Sequence, residues 1–327
     1  MARFLVLQHI ACEPPAAFED ELLAWGASLH RVEVDEGDPL PDWREFAGII
    51  AMGGPMGAYE DDRLPWLTAE KRLIAEAVRA GTPYWGVCLG AQLLAASLDA
   101  RAFTGPQAEV GLLAVRLTEA ARTDPVFSTL PEEFVALQWH ADTYDLPEGA
   151  VRLAGSDAYP QQAFVVNNAY AMQFHLEVDG ELATSWGEVP AYARSLEQLL
   201  GPGALPRLVE DVRRHEPQTT PQARGMFAAW LQHVVGLPPR SADAPRHAQA
   251  LELFHGLGGA GGQGLQRGGG DAQVRDGGGA SLEREAPEPA DGGALVAFGI
   301  AVAQDEADPQ GVVERDLGQL PGRPQHQ

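Results

Sequence analysis

Between residues 82 and 98 the chain switches from strand to helix around a cysteine, and that switch limits the folds open to it. Thr82 to Val87 is short, apolar and opened by Pro83, which suits a central strand of a sheet covered on both faces. From Gly90 onward Leu93, Leu94 and Leu98 recur at helical spacing, with Ala91, Ala95 and Ala96 filling in. Gly86 and Gly90 flank Cys88 at minus two and plus two, because both neighbours of such a tight turn must lack side chains for it to close. The turn lifts the sulfur out of the sheet and leaves it at a helix N-terminus. Free backbone N–H groups there, and the positive end of the helix dipole, favour the thiolate, the form of cysteine that attacks a carbonyl. A lone cysteine in an apolar segment is ordinarily a packing residue; the bracketing glycines favour a nucleophile.

The flanking segments supply the rest of a sheet. Phe4 to Gln8 reads as a first strand, Pro14 to His30 as a helix, Leu29 to Val34 as a second strand, Gly48 to Met52 as a third, and Pro65 to Ala80 as a helix leading into the elbow strand. This is the βαβ cadence of an α/β fold with an open, mostly parallel sheet, whose sites form at the carboxyl ends of the strands. The third strand empties into Gly53-Gly54-Pro55-Met56-Gly57, which is either ordinary turn punctuation or a source of backbone N–H donors. A donor there and the N–H of Leu89 would make the two-donor hole that acyl transfer requires.

After the elbow comes a β-rich segment: Val110 to Leu117, Phe134 to Gln138, Val151 to Ala154 and Gln162 to Val166. Trp139-His140-Ala141-Asp142-Thr143 places polar groups directly after one of these strands, where a histidine is more often a surface residue than a site residue. Ala171 to Val178 is read as a strand whose alternation puts His175 and Glu177 on one face. A carboxylate so placed can hold the imidazole in one tautomer while its other nitrogen meets a thiol; the bland alternative is a solvated pair on an edge strand. Asp179 to Leu200 and Pro221 to Val235 read as helices.

Lys and Arg number 23 against 46 Asp and Glu, a net charge of −23, which argues against nucleic acid and anionic lipid as partners. Two cysteines, Cys12 and Cys88, are too few for a disulfide framework, and no leader or 18-residue apolar run is evident, so a cytoplasmic protein acting on small molecules is expected. The folded domain is expected over residues 1–236. From residue 237 to 327 glycine runs and few aromatics predict a disordered tail, an extension from a gene whose Ala, Gly, Pro and Arg richness reflects G and C codons.

Four motifs in order carry a family resemblance: Gly53-Gly54-Pro55-Met56, Gly86-Val87-Cys88-Leu89-Gly90-Ala91-Gln92, Trp139-His140-Ala141-Asp142-Thr143 and Gln173-Phe174-His175-Leu176-Glu177. Together they resemble the class I, triad-type glutamine amidotransferases, and among these the stand-alone proteins similar to the glutaminase domain of GMP synthetase. The resemblance implies a flavodoxin-like sheet, Cys88 as nucleophile, His175 as base and acid, Glu177 as its orienter, and an oxyanion hole from the N–H groups of Gly54 and Leu89. It also implies that Gln92, His140 and Asp142 lie near bound glutamine, with no cofactor and no metal. Glu109-Val110-Gly111 resembles a Glu-Ile-Gly element of relatives. Two departures stand out: Leu176 occupies a position where relatives usually have proline, and no Ser-Gly-Gly phosphate loop of an ATP-pyrophosphatase follows residue 236. The expected chemistry is attack of Cys88 on a γ-glutamyl amide, loss of ammonia and hydrolysis of the thioester. Ammonia transfer to a separate synthetase, free γ-glutamyl hydrolysis, and a non-catalytic module of the same fold are the three destinations.

Overall fold

A computed structural model describes residues 1–238. Its nine strands form one mixed sheet in the order β2-β1-β3-β4-β9-β8-β7-β5-β6. The first half is parallel: β2 (Ser28–Glu33), β1 (Arg3–Gln8), β3 (Gly48–Ala51), β4 (Tyr84–Val87) and β9 (Ala169–Met172). Their residues alternate between two cores. Phe4, Val6, Ile50, Trp85 and Val87 pack under α1 (Ala17–Ala24) and the last helix, whereas Leu5, Leu7, Ile49, Ala51 and Tyr84 pack under α2 (Trp66–Arg79) and α3 (Leu89–Ser97). Burial on both faces explains why β1, β3, β4 and β9 read as nearly unbroken apolar runs, whereas β2 at the sheet edge keeps polar residues.

The β-rich segment is the antiparallel half of the same sheet: β8 (Ala163–Val166), β7 (Val151–Gly155), β5 (Ala102–Leu117) and β6 (Glu133–Tyr144). Here the expected boundaries change. β5 begins eight residues before Val110 and carries a register shift between Thr104 and Glu109, where Gly105 and Pro106 break the ladder. β6 runs through Trp139 to Thr143, so His140 and Asp142 lie in a strand and not after one.

The helical boundaries also change. The segment expected as one helix from Asp179 to Leu200 is two, α4 (Gly180–Trp186) and α5 (Pro190–Leu200), because Gly187 ends the first and Pro190 starts the second at its first turn. The last helix, α6, spans Ala204–His233 and passes through Pro217 and Pro221. Both prolines are exposed, as are residues 213 and 217, whose carbonyls the prolines leave unbonded, so water can satisfy them. The tail expected over residues 237–327 lies, from residue 239 on, outside the described residues.

Candidate active site

The carboxyl ends of β1, β3, β4 and β9 converge on Cys88. Its backbone sits at φ 52° and ψ −107°, a region that costs a non-glycine residue about 1–3 kcal/mol and persists only when its surroundings enforce it. The surroundings are tight. A Cβ on Gly90 would stand 2.1 Å from the Ala51 carbonyl oxygen, and one on Gly86 would stand 2.7 Å from the Gly90 carbonyl oxygen. The Cys88 N–H donates to Met172 O at 2.8 Å and the Gly90 N–H to Met52 O at 3.1 Å, tying the elbow to both neighbouring strands.

His175 and Glu177 come together, but not by strand alternation. β9 ends at Met172, and the chain then leaves the ladder; His175 keeps only a bridge to Leu137 of β6, with N–H to O distances of 2.9 and 3.0 Å. The turn that follows brings Glu177 Oε1 to 2.7 Å from His175 Nδ1, and Glu177 Oε2 accepts the Leu176 N–H at 3.0 Å. Both side chains are buried, and the Trp186 ring closes on His175 edge-on with centroids 4.9 Å apart.

The electrostatics of thiol and ring are coupled. Burial pushes the Cys88 thiol above its ordinary value, against the opposing pull of a hydrogen bond to His175, the charge of that ring and the Leu89 N–H. Burial would lower His175, but the Glu177 carboxylate and the Cys88 hydrogen bond outweigh it and hold the imidazole well above its ordinary value. Gln173 adds a donor, its Nε2 lying 3.5 Å from Sγ.

Of the expected oxyanion donors, Leu89 opens α3 with its N–H toward the thiol, and Gly54 lies against Leu89: a Cβ on Gly54 would be 3.1 Å from Leu89 Cδ2. Gln92 is buried on α3, and its Nε2 donates to Gln173 Oε1 at 3.2 Å, so its link to the sulfur runs through Gln173. His140 and Asp142 belong to a neighbouring polar cluster. His140 Nδ1 lies 2.9 Å from the Asp142 carbonyl, and Nε2 lies 3.2 Å from Glu109 Oε2 without the alignment of a hydrogen bond. Glu109 accepts from Gln162 at 2.6 Å and Ser156 at 2.8 Å, and Tyr59 reaches Asp142 Oδ1 at 3.4 Å. Burial raises the Asp142 carboxyl. A cavity of about 490 Å³ opens beside Glu109 and Val110, bounded by Leu199 and Leu200.

Two buried groups escaped sequence reasoning. Glu13 follows β1, accepts the Tyr192 hydroxyl and presses Oε2 against Gly53, where a Cβ would stand 2.0 Å from it and 3.5 Å from His175 Cε1. Burial raises its pKa and the nearby His175 charge opposes that rise. Tyr192 belongs to α5, 179 residues away, so no local pattern announces the pair. The second group is His9 with Glu70, both fully buried and 61 residues apart. The signal that could have flagged both was their position: each lies at or just beyond the carboxyl end of β1.

With this geometry in place, comparison with known proteins identifies the class. The family model for class-I glutamine amidotransferases matches residues 17–185, and the chain belongs to that family. It is 33% identical over 159 residues to the glutamine amidotransferase-like protein YfeJ of Salmonella typhimurium, a match covering 46% of this chain and 64% of that protein. It is 35% identical over 132 residues to the glutamine-hydrolyzing GMP synthase of Thermomicrobium roseum, covering 40% of this chain and 23% of that one. The matches thus span less than two thirds of either relative's length. Among solved structures, a glutamine amidotransferase from Thermotoga maritima superposes with a TM-score of 0.64 at 30% identity, over 72% of this chain and 98% of that one. One from Methylobacillus flagellatus also gives 0.64, at 26% identity, over 76% and 100%. No helix among the described residues is long and apolar enough to cross a membrane.

Proposed function

We propose that the protein, over a unit of residues 1–236, hydrolyses the side-chain amide of glutamine or of a γ-glutamyl compound through Cys88, with ammonia handed to a separate acceptor subunit. The observation that carries this reading is the convergence of a thiol on a strained elbow with a buried imidazole whose Nδ1 is bonded to Glu177, 2.7 Å away. That bond leaves the ring's other nitrogen for the thiol. His175 takes the Cys88 proton as the sulfur attacks the amide carbon, and the N–H groups of Gly54 and Leu89 receive the oxyanion. The imidazolium, stabilised by Glu177, then protonates the departing nitrogen, and a γ-glutamyl thioester and ammonia result. Water, deprotonated by the same ring, attacks the thioester and frees glutamate and the thiol. Gln92, His140 and Asp142 are assigned to the substrate side of the site.

The preference for a partnered enzyme rests on burial. Cys88 is 7% exposed and His175 2%, and burial keeps the sulfur protonated, which suits a site that idles until an acceptor subunit opens it. Steady-state assay of the purified protein against glutamine and a γ-glutamyl dipeptide, with Cys88→Ser as control, tests the reading. Low glutamine turnover raised by a partner fraction and abolished by Cys88→Ser is the expected result. Unaided turnover of the dipeptide would make it a free γ-glutamyl hydrolase. No turnover of either, with no labelling of Cys88 by a glutamine-analogue electrophile, would leave a non-catalytic module or an absent partner.

A further inference from the structure

Acyl transfer at Cys88 needs the Gly54 N–H aimed at the forming oxyanion, yet a loop of adjacent glycines has little conformational preference of its own. His9 supplies a restraint. Its ring is fully buried, stacks on Trp66 with planes inclined at 23°, and has both nitrogens occupied. Nδ1 lies 3.1 Å from the Gly53 carbonyl oxygen, and Nε2 lies 2.8 Å from Glu70 Oε1 on α2. Both neighbours accept hydrogen bonds, so both nitrogens donate, and the ring is an imidazolium paired with the Glu70 carboxylate. Burial works against that charge, but Glu70 and the Gly53 carbonyl outweigh it, and the His9 pKa is raised.

The geometry then passes through the peptide. The Gly53–Gly54 bond is trans, so its C=O and N–H point in opposite directions. Anchoring the carbonyl on His9 therefore fixes the direction of the Gly54 N–H on the opposite side. Gly54 is also wedged in place, since a Cβ there would lie 2.9 Å from His9 Cβ and 3.1 Å from Leu89 Cδ2. A cation bonded to the carbonyl polarises the peptide and makes its N–H a stronger donor. We propose that His9, seated on Glu70, is a positioning residue that sets the Gly53–Gly54 peptide so that its N–H serves as an oxyanion donor. This rests on the amide-hydrolase reading above.

Two substitutions separate this role from simple packing. In Asn the side-chain amide nitrogen stands where Nδ1 stands, so His9→Asn keeps the bond to Gly53 and loses Glu70; in Gln it stands nearer Nε2, so His9→Gln keeps Glu70 and frees the loop. Turnover of glutamine is measured for both, together with the rate at which iodoacetamide alkylates Cys88, a displacement at sp³ carbon that forms no oxyanion. The proposal expects His9→Gln to lose about 10- to 100-fold in kcat, with KM little changed and alkylation at the wild-type rate. His9→Asn is expected to regain most of that loss. A merely structural ion pair predicts the reverse ranking, and melting temperatures of both variants report folding independently. Should His9→Gln not fold, a His9→Asn enzyme that loses as much as a donor deletion, about 100-fold or more, overturns the proposal. So does a His9→Gln enzyme at full kcat, or one whose losses in kcat and alkylation match. A wild-type protein that turns over neither glutamine nor a γ-glutamyl dipeptide, alone or with a partner fraction, and whose Cys88 takes no label from a glutamine-analogue electrophile overturns the amide-hydrolase reading and this one with it; the preceding outcomes sink this one alone.

Discussion

Two buried histidine–carboxylate pairs flank the Gly53-Gly54 loop, and they look alike until their nitrogens are compared. His175 meets Glu177 at 2.7 Å and His9 meets Glu70 at 2.8 Å, and all four side chains are 2% exposed or less. Glu177, however, faces Nδ1 and leaves the other nitrogen to the Cys88 thiol, whereas Glu70 faces Nε2 and the remaining nitrogen of His9 is already bonded to the Gly53 carbonyl. A ring with one nitrogen open to a reacting group can carry a proton back and forth. A ring with both nitrogens tied to acceptors can only hold something still.

Breaking the first pair has the largest expected effect. His175→Gln removes the proposed base and acid, and kcat for glutamine is expected to fall about 10³-fold or more in a steady-state assay, with the fold intact by circular dichroism. Glu177→Gln follows. The Leu176 N–H donates to Oε2, so the substituted amide keeps its carbonyl there and turns its NH₂ toward His175 Nδ1. That places the ring's proton on the nitrogen facing sulfur, where it cannot accept another, and kcat falls about 10²- to 10⁴-fold.

The pairs should behave alike toward pH. Both histidines have raised folded-state pKa values, so each binds its proton more tightly when folded. Their contribution to stability is complete below the unfolded value of about 6.5 and is lost as pH climbs through the folded values. The buried Cys88 thiol, also raised, acts in the same direction at higher pH. The melting temperature is accordingly expected to decline by several degrees from pH 6 into the alkaline range, and a flat profile would contradict the raised values of the two rings and the protonated state assigned to His9.

The smallest effect sharpens the contrast. Glu70 Oε2 has no hydrogen-bond partner among the described residues, so in Glu70→Gln the new amide is free to turn its NH₂ toward Nε2. His9 then stays protonated at Nδ1, where the Gly53 carbonyl needs it, and Glu70→Gln is expected to lower kcat by only about threefold, the scale of a charge-assisted bond reduced to a neutral one. The same substitution in the two pairs thus gives opposite outcomes.

How far the sequence foretold these pairs depended on whether their logic was local. The elbow was legible because Gly86 and Gly90 bracket Cys88 within five residues and each glycine is forced by a backbone contact. His175 and Glu177 were legible as a pair, although the expected strand beneath them was not formed; their meeting depends on a turn after Met172 and on the Leu137 bridge, both of tertiary origin. His9 with Glu70 and Glu13 with Tyr192 were missed: each joins segments far apart in the chain, and only the place of His9 and Glu13 just beyond the carboxyl end of β1 could have flagged them. The length of α6 was hidden by Pro221, which read as a helix start; it and Pro217 are tolerated because they face water.

The sulfur at the centre can be interrogated against an internal control. Cys12 is partly buried and its thiol is pushed up to about 12, by burial first and by the Glu13 charge next, with no imidazole among the described residues drawing its proton. A glutamine-analogue diazoketone, followed by peptide mapping, is expected to label Cys88 alone, with glutamine protecting it. Label on Cys12 with Cys88 untouched, or Cys88 labelling indifferent to glutamine, would contradict the assignment of Cys88 as the nucleophile of this site.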